Sequence, residues 1–137
     1  DALEELGEYS TSLDTFFIYE PLNRYETNLF NHFSEACDFA RNLETRGIKV
    51  LADLFHMNIE ETDIASSISD HQDKLGHVHF ADSNRRPIGC GHTDMHPISE
   101  CLKRINYQGY ISAEAFAWPD PIAAAQQTID SFRKFFN

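Results

Sequence analysis

Ile48-Lys49-Val50-Leu51-Ala52-Asp53 is almost continuously apolar and ends on a carboxylate. That is the pattern of a strand covered on both faces whose last residue emerges at the sheet's rim. Three other short apolar runs, Phe16–Glu20, Leu75–His79 and Gly109–Glu114, also end on a metal-ligating side chain. The end residues Glu20, Asp53, His79 and Glu114 are separated by 33, 26 and 35 residues, about one strand-plus-helix repeat. The spacing predicts an α/β fold of the TIM (β/α)8-barrel type, with these side chains gathered at the carboxyl ends of parallel strands. Two Glu, one Asp and one His meeting at one point would form a divalent-metal site rich in hard oxygen donors.

Only four such units fit into 137 residues, whereas a complete barrel takes roughly 250. A half-barrel, or a fragment whose other half lies outside this chain, is therefore expected. No linker or low-complexity segment divides residues 1–137, which read as a single domain. With 11 basic and 22 acidic residues the formal net charge is −11. That balance argues against a nucleic-acid partner, which requires clustered Lys and Arg, and suits a metal or a small neutral ligand. Cys37, Cys90 and Cys101 are odd in number and not closely paired, so they read as reduced thiols rather than a disulfide or zinc knot. No apolar stretch approaches the ~18 residues of a membrane span, and the N-terminus lacks a signal pattern. The expectation is a soluble, cytoplasmic protein without a membrane partner.

The units can be followed along the chain. Residues 3–13 read as the end of a helix with Leu3, Leu6 and Tyr9 on one side. Thr15–Glu20 is dense in β-formers and is stopped by Pro21. Apolar residues at 29, 30, 33, 36, 37, 40 and 43 form a helical stripe, with Asn28 as N-cap and Gly47 as stop. A weaker helix is expected over 61–73, and a polar loop over 82–93. Pro97 opens a helix with Ile98, Cys101, Leu102 and Ile105 inward. Asp120-Pro121 caps a last helix with Ile122, Ala125, Ile129, Phe132 and Phe136 inward.

Alternation puts His77 and His79 on one face of their strand. His79 is nearer the rim and is the better ligand; His77 reads as a hydrogen-bonded residue deeper in the barrel. Among loop residues that follow the candidate ligands, Glu26, His56 and Arg85 stand out, while Arg24, Arg86 and Asp82 read as solvated polarity. Phe116 and Trp118 suit either an apolar lid or ordinary packing.

Several of these stretches together resemble one enzyme family. They are Glu20-Pro21-Leu22-Asn23-Arg24-Tyr25-Glu26, Asp53-Leu54-Phe55-His56-Met57-Asn58-Ile59-Glu60-Glu61, His77-Val78-His79 with Asn84-Arg85, and Gly109-Tyr110 through Glu114-Ala115-Phe116. They are similar to the ketose 3-epimerases acting on D-tagatose, D-psicose or L-ribulose. These belong to the xylose-isomerase-like sugar phosphate isomerase/epimerase superfamily. The resemblance implies that the chain is the C-terminal half of such a barrel. It implies Glu20, Asp53, His79 and Glu114 as metal ligands, with Mn²⁺ the first choice and Mg²⁺, Co²⁺ or Zn²⁺ as alternatives. It further implies Glu20 and Glu114 as the catalytic acid/base pair, and Glu26, His56 and Arg85 as substrate-binding residues for a sugar or sugar phosphate. The reaction would be C3 epimerisation of a ketose through a cis-enediolate.

The family's first four β/α units are missing, and Gly89-Cys90-Gly91-His92-Thr93-Asp94 looks more like the general isomerase/epimerase branch. An aldose–ketose isomerase of the hydroxypyruvate type is the nearest rival. An abasic-site endonuclease would need further ligands, for which His92 and Asp94 are spare, and a basic face that −11 opposes. The third reading is an inactive half-barrel. Its open strand edges would invite homo-oligomerisation or pairing with the missing half.

Overall fold

The computed structural model describes residues 2–137. Its centre is a parallel four-stranded sheet in the order β1-β2-β3-β4, formed by Phe17–Tyr19, Ile48–Asp53, Leu75–His79 and Ile111–Ser112. Successive neighbours in a parallel sheet require a crossover, and helices supply each one. Helix α2 (Phe33–Asn42) crosses from β1 to β2, α3 (Leu54–Glu60) and α4 (Ile64–Asp70) from β2 to β3, and α5 (Met95–Arg104) from β3 to β4. Helix α1 (Ala2–Ser12) precedes β1 and α6 (Pro121–Phe136) follows β4. The core lies between sheet and helices, with Val50, Ala52 and Val78 facing Ala36, Cys37, Ile68, Ile98 and Leu102 among its buried members.

Strand β2 is as long as its apolar run, because both neighbours cover it. The edge strands β1 and β4 are shorter than expected and pair on one side only. The β2–β3 register contains a slip: Val50 pairs with Leu75 but Leu51 pairs with His77, so Gly76 is skipped. A bulge of this kind re-aims side chains at the end of a ladder. Here it sets His79, rather than Val78, opposite Asp53.

Other departures have local causes. Helix α2 begins at Phe33, four residues after the start of its apolar stripe, and Leu29 is exposed. The preceding loop is held by Asn31, whose amide donates to the carbonyls of Leu22 and Thr27. The Glu35 carboxylate accepts from the His32 amide at the helix entry. Helix α3 adds to the elements expected from the sequence, and Asp53 starts it by accepting from the amides of Phe55 and His56. Asp63 then caps a shorter α4, and Asp94, not Pro97, opens α5 by accepting from the His96 amide. In α1, Leu3 touches the core but Leu6 and Tyr9 are exposed.

The inward face expected of α6 is corrected most. Ala124, Ser131 and Phe135 are its buried residues, whereas Ile122, Ile129 and Phe132 are exposed. The helix is tethered sideways, since Ser131 Oγ and Gln127 Nε2 both donate to the Ile88 carbonyl. That turns Ile129 and Phe132 along the open edge of β4, where they line a groove with Phe80 and Ile111.

The segment 82–93 is not a solvated loop. Asp82 is 1% exposed. Its carboxylate accepts from the main-chain amides of Ser83, Gly89, Gly91 and Thr93 at 2.7–3.0 Å. Burial pushes this carboxyl up, but the amides of Thr93, Ser83, Gly89 and Gly91 outweigh it and hold it below the ordinary value. The loop is wound around one anion, and Arg85 projects from it with φ +58°.

Two outcomes are expected. Gly76→Ala would drive a Cβ into Lys49 Cβ and should lower unfolding free energy by about 1–3 kcal/mol in urea titrations; an unchanged midpoint would remove the slip as a packing constraint. Asp82→Ala should abolish amide-exchange protection at Gly89, Gly91 and Thr93 while β2 stays protected.

Candidate metal centre

Four residues from four β/α units meet at the carboxyl rim of the sheet. One ligand atom from each of Glu20, Asp53, His79 and Glu114 lies within 4.8 Å of all the others. His79 Nδ1 is the focus. It is 3.0 Å from Asp53 Oδ2, 3.3 Å from Glu114 Oε2 and 3.5 Å from Glu20 Oε1. Each arrives by a different local device. Glu20 directly follows β1, Asp53 and His79 are register partners, and Glu114 is two residues past Ser112, which pairs with His79.

Charge balance shows what this group accepts. Three carboxylates at such separations repel one another unless a cation stands among them. His79 supplies one: its hydrogen bond to Asp53, the Glu20 carboxylate close by, and the charge of both raise its pKa to about 9 against burial. Burial would raise the Asp53 carboxyl, but the His79 hydrogen bond and charge and the Phe55 amide leave it lowered. Glu20 Oε1 is buried without a hydrogen-bond partner, an arrangement that costs free energy unless an ion or ligand meets the oxygen. Three oxygen donors and one imidazole nitrogen fit a divalent ion of the Mn²⁺, Mg²⁺ or Zn²⁺ kind.

Around the cluster, Arg85 donates to Glu114 Oε2 at 2.8 Å and lies 3.7 Å from Glu26 Oε1. Its guanidinium also sits 4.9 Å over the Phe55 ring. His56 is buried, with Nε2 3.8 Å from Glu20 Oε1 and Nδ1 3.8 Å from Glu26 Oε1. The structure therefore brings Glu26, His56 and Arg85 to the edge of the four-residue group. His77 lies below it, its Nε2 2.7 Å from Ser112 Oγ. His92 and Asp94 do not join; Asp94 caps α5 and the His92 side of the loop is exposed. Phe116 and Trp118 are exposed, and Arg86 stacks 4.1 Å over Trp118.

Some residues that build the site were not singled out from sequence. Glu60 accepts from the Arg24 amide and from its guanidinium, which holds the Glu60 carboxyl below its usual range. This pair fastens the loop after β1 onto α3. Asn23 ties the same loop to His56 and Glu26. The Asn23 and Glu60 positions carried no periodic signal, though both lie within the two stretches most specific to the resemblance.

Residues 1–135 match the family described as xylose isomerase-like TIM barrel. The chain is 37% identical over 114 residues to 3-dehydro-D-guloside 4-epimerase of Escherichia coli, covering 83% of this chain and 44% of that protein. It is 40% identical over 114 residues to D-psicose 3-epimerase of Enterocloster bolteae, covering 83% of this chain and 38% of that one. Among solved structures, 3-keto-D-glucoside 4-epimerase from E. coli superposes with a TM-score of 0.91 at 34% identity, covering 98% of this chain and 51% of that chain. D-allulose 3-epimerase from Methylomonas sp. gives 0.92 at 28% identity, covering 98% and 54%. The chain thus spans less than half the length of these two sequence relatives. With four parallel β/α units and a match over nearly all its residues, the chain belongs to the xylose isomerase-like TIM barrel family.

Proposed function

We propose that this chain forms the carboxyl-terminal half of a divalent-metal-dependent sugar epimerase that inverts the carbon beside a ketone, in the first instance C3 of a ketose. The observation that carries the reading is the convergence of Glu20, Asp53 and Glu114 on His79 Nδ1, in a chain similar to several sugar epimerases. Glu20, Asp53, His79 and Glu114 would hold the ion, with Mn²⁺ the first choice. When bound, the ion supplies Lewis-acid stabilisation of charge developing on the ketone oxygen.

The proton work belongs to the chain. Removing the proton on the carbon next to the carbonyl leaves its electron pair delocalised as a cis-enediolate. Returning a proton to the other face completes inversion. Glu20 and Glu114 come from the first and last units and take these two parts, one carboxylate accepting while the other, protonated, donates; they exchange roles in reverse. The open, half-exposed setting of Glu114 against the buried Oε1 of Glu20 gives the pair unlike surroundings. Glu26, His56 and Arg85 would grip the sugar's oxygens, Arg85 through its fixed fork of donors.

The relatives named as 4-epimerases of oxidised glycosides support a second reading: the same proton chemistry at C4 beside a C3 ketone. An aldose–ketose isomerase would move that proton between adjacent carbons instead. Relatives about twice as long, together with open apolar edges at Phe16, Phe17, Ile18 and Phe132, support closure of the pocket by further barrel strands. Free thiols at Cys37, buried and pushed up to about 12 chiefly by that burial, and at Cys101 fit a cytoplasmic setting.

In the complete barrel, Glu20→Gln and Glu114→Gln should each abolish turnover while Mn²⁺ binding survives in part. Asp53→Ala and His79→Ala should weaken Mn²⁺ binding by more than roughly 100-fold in calorimetric titrations. Product analysis on ketohexoses and on 3-keto-glucosides distinguishes C3, C4 and C1–C2 chemistry. Full activity in either Gln variant would remove that carboxylate from the reaction.

A further inference from the structure

Two buried side-chain atoms of the site have no hydrogen-bond partner, Glu20 Oε1 and His56 Nε2, and they lie 3.8 Å apart. That is too long for a hydrogen bond. The other ring nitrogen of His56 is engaged. The main-chain N–H of Asn23 points to Nδ1 at 3.2 Å, and Asn23 Nδ2 lies 2.7 Å from the same atom. A peptide N–H can only donate, so Nδ1 is the acceptor. The Asn23 amide has a matching orientation: Oδ1 accepts from the Tyr25 amide at 3.0 Å, and Nδ2 donates to Glu26 Oε1 at 2.8 Å. Its NH₂ end therefore faces the ring. A neutral imidazole with a bare Nδ1 carries its proton on Nε2.

We infer that Asn23 is a positioning residue that locks His56 in the Nε2–H tautomer, making His56 a hydrogen-bond donor to the substrate and not a base. The ligand group that satisfies both orphaned atoms is a hydroxyl, which accepts from His56 and donates to Glu20. This role for the hydroxyl rests on the sugar-epimerase reading; the tautomer does not.

Two-bond ¹H–¹⁵N correlation spectra of the metal-free full-length protein test it, with His56 assigned by the signals lost in His56→Gln. With pH raised until the ring is neutral, the proton is expected on Nε2; a neutral ring protonated on Nδ1 overturns the inference. Asn23→Ala keeps the main-chain N–H and should keep the tautomer. Asn23→Asp replaces the nearer donor, the NH₂ at 2.7 Å, with a carboxylate that outcompetes the longer main-chain N–H contact at 3.2 Å and should draw the proton to Nδ1. Adding Glu26→Gln, which removes repulsion between the two carboxylates, should leave that shift in place. In turnover assays kcat/KM should fall by roughly 10-fold or more in Asn23→Asp, and by less in Asn23→Ala. A merely structural Asn23 predicts the reverse ranking, because Asp keeps the shape that Ala deletes, and that ranking would overturn the inference. An Nε2–H ring in a protein without turnover counts against the sugar reading alone; an Nδ1–H ring in an active protein counts against this inference alone. Should Asn23→Asp fail to fold, the wild-type spectrum decides.

Discussion

One carboxylate joins the scaffold to the site. Asp53 Oδ1 accepts from the amides that begin α3, and Oδ2 faces His79 Nδ1 at 3.0 Å. The same side chain therefore ends a strand, starts a helix and opposes a histidine on the next strand. Because α3 carries His56, the backbone position of that residue is set by the carboxylate that anchors the cluster. The skipped Gly76 in β3 is the backbone counterpart, since an unbroken ladder would have offered Asp53 a valine.

Electrostatics and packing are separated in this molecule. The interior behind the sheet is apolar, and its buried thiols are pushed toward the neutral form. Around the cluster at the rim, other anions are tied to neighbours that fix their direction: Glu60 to Arg24, Asp82 to a ring of amides. A cluster with excess negative charge at its centre is thereby surrounded by carboxylates that are already satisfied, which leaves a cation as its natural complement.

The period of the apolar runs makes the four units, their parallel order and the rim residues legible in the sequence, because a strand buried on both faces leaves a continuous signature. Helix α3 escaped notice because its start depends on a carboxylate already counted as a ligand. The outward turn of Ile122, Ile129 and Phe132 escaped because a stripe on a helix says that one side is apolar, not which neighbour lies beside it. Asp82 was unreadable for a third reason. Its amide partners lie up to eleven residues away and are brought in by the turns around Gly89 and Gly91. Grouping of Glu26, His56 and Arg85 near the cluster was suggested by resemblance, and Asn23 was hidden because its role is to orient another side chain.

The tether between α6 and the Ile88 carbonyl has a wider meaning. Ile88 lies three residues beyond Arg85, in the loop coiled about Asp82, so a helix on the outer wall braces the guanidinium at the mouth. The placement of Arg85 against Glu114 is then partly a property of the fold's exterior. Natural drift on that distant surface can shift the guanidinium without any change among the residues of the cluster.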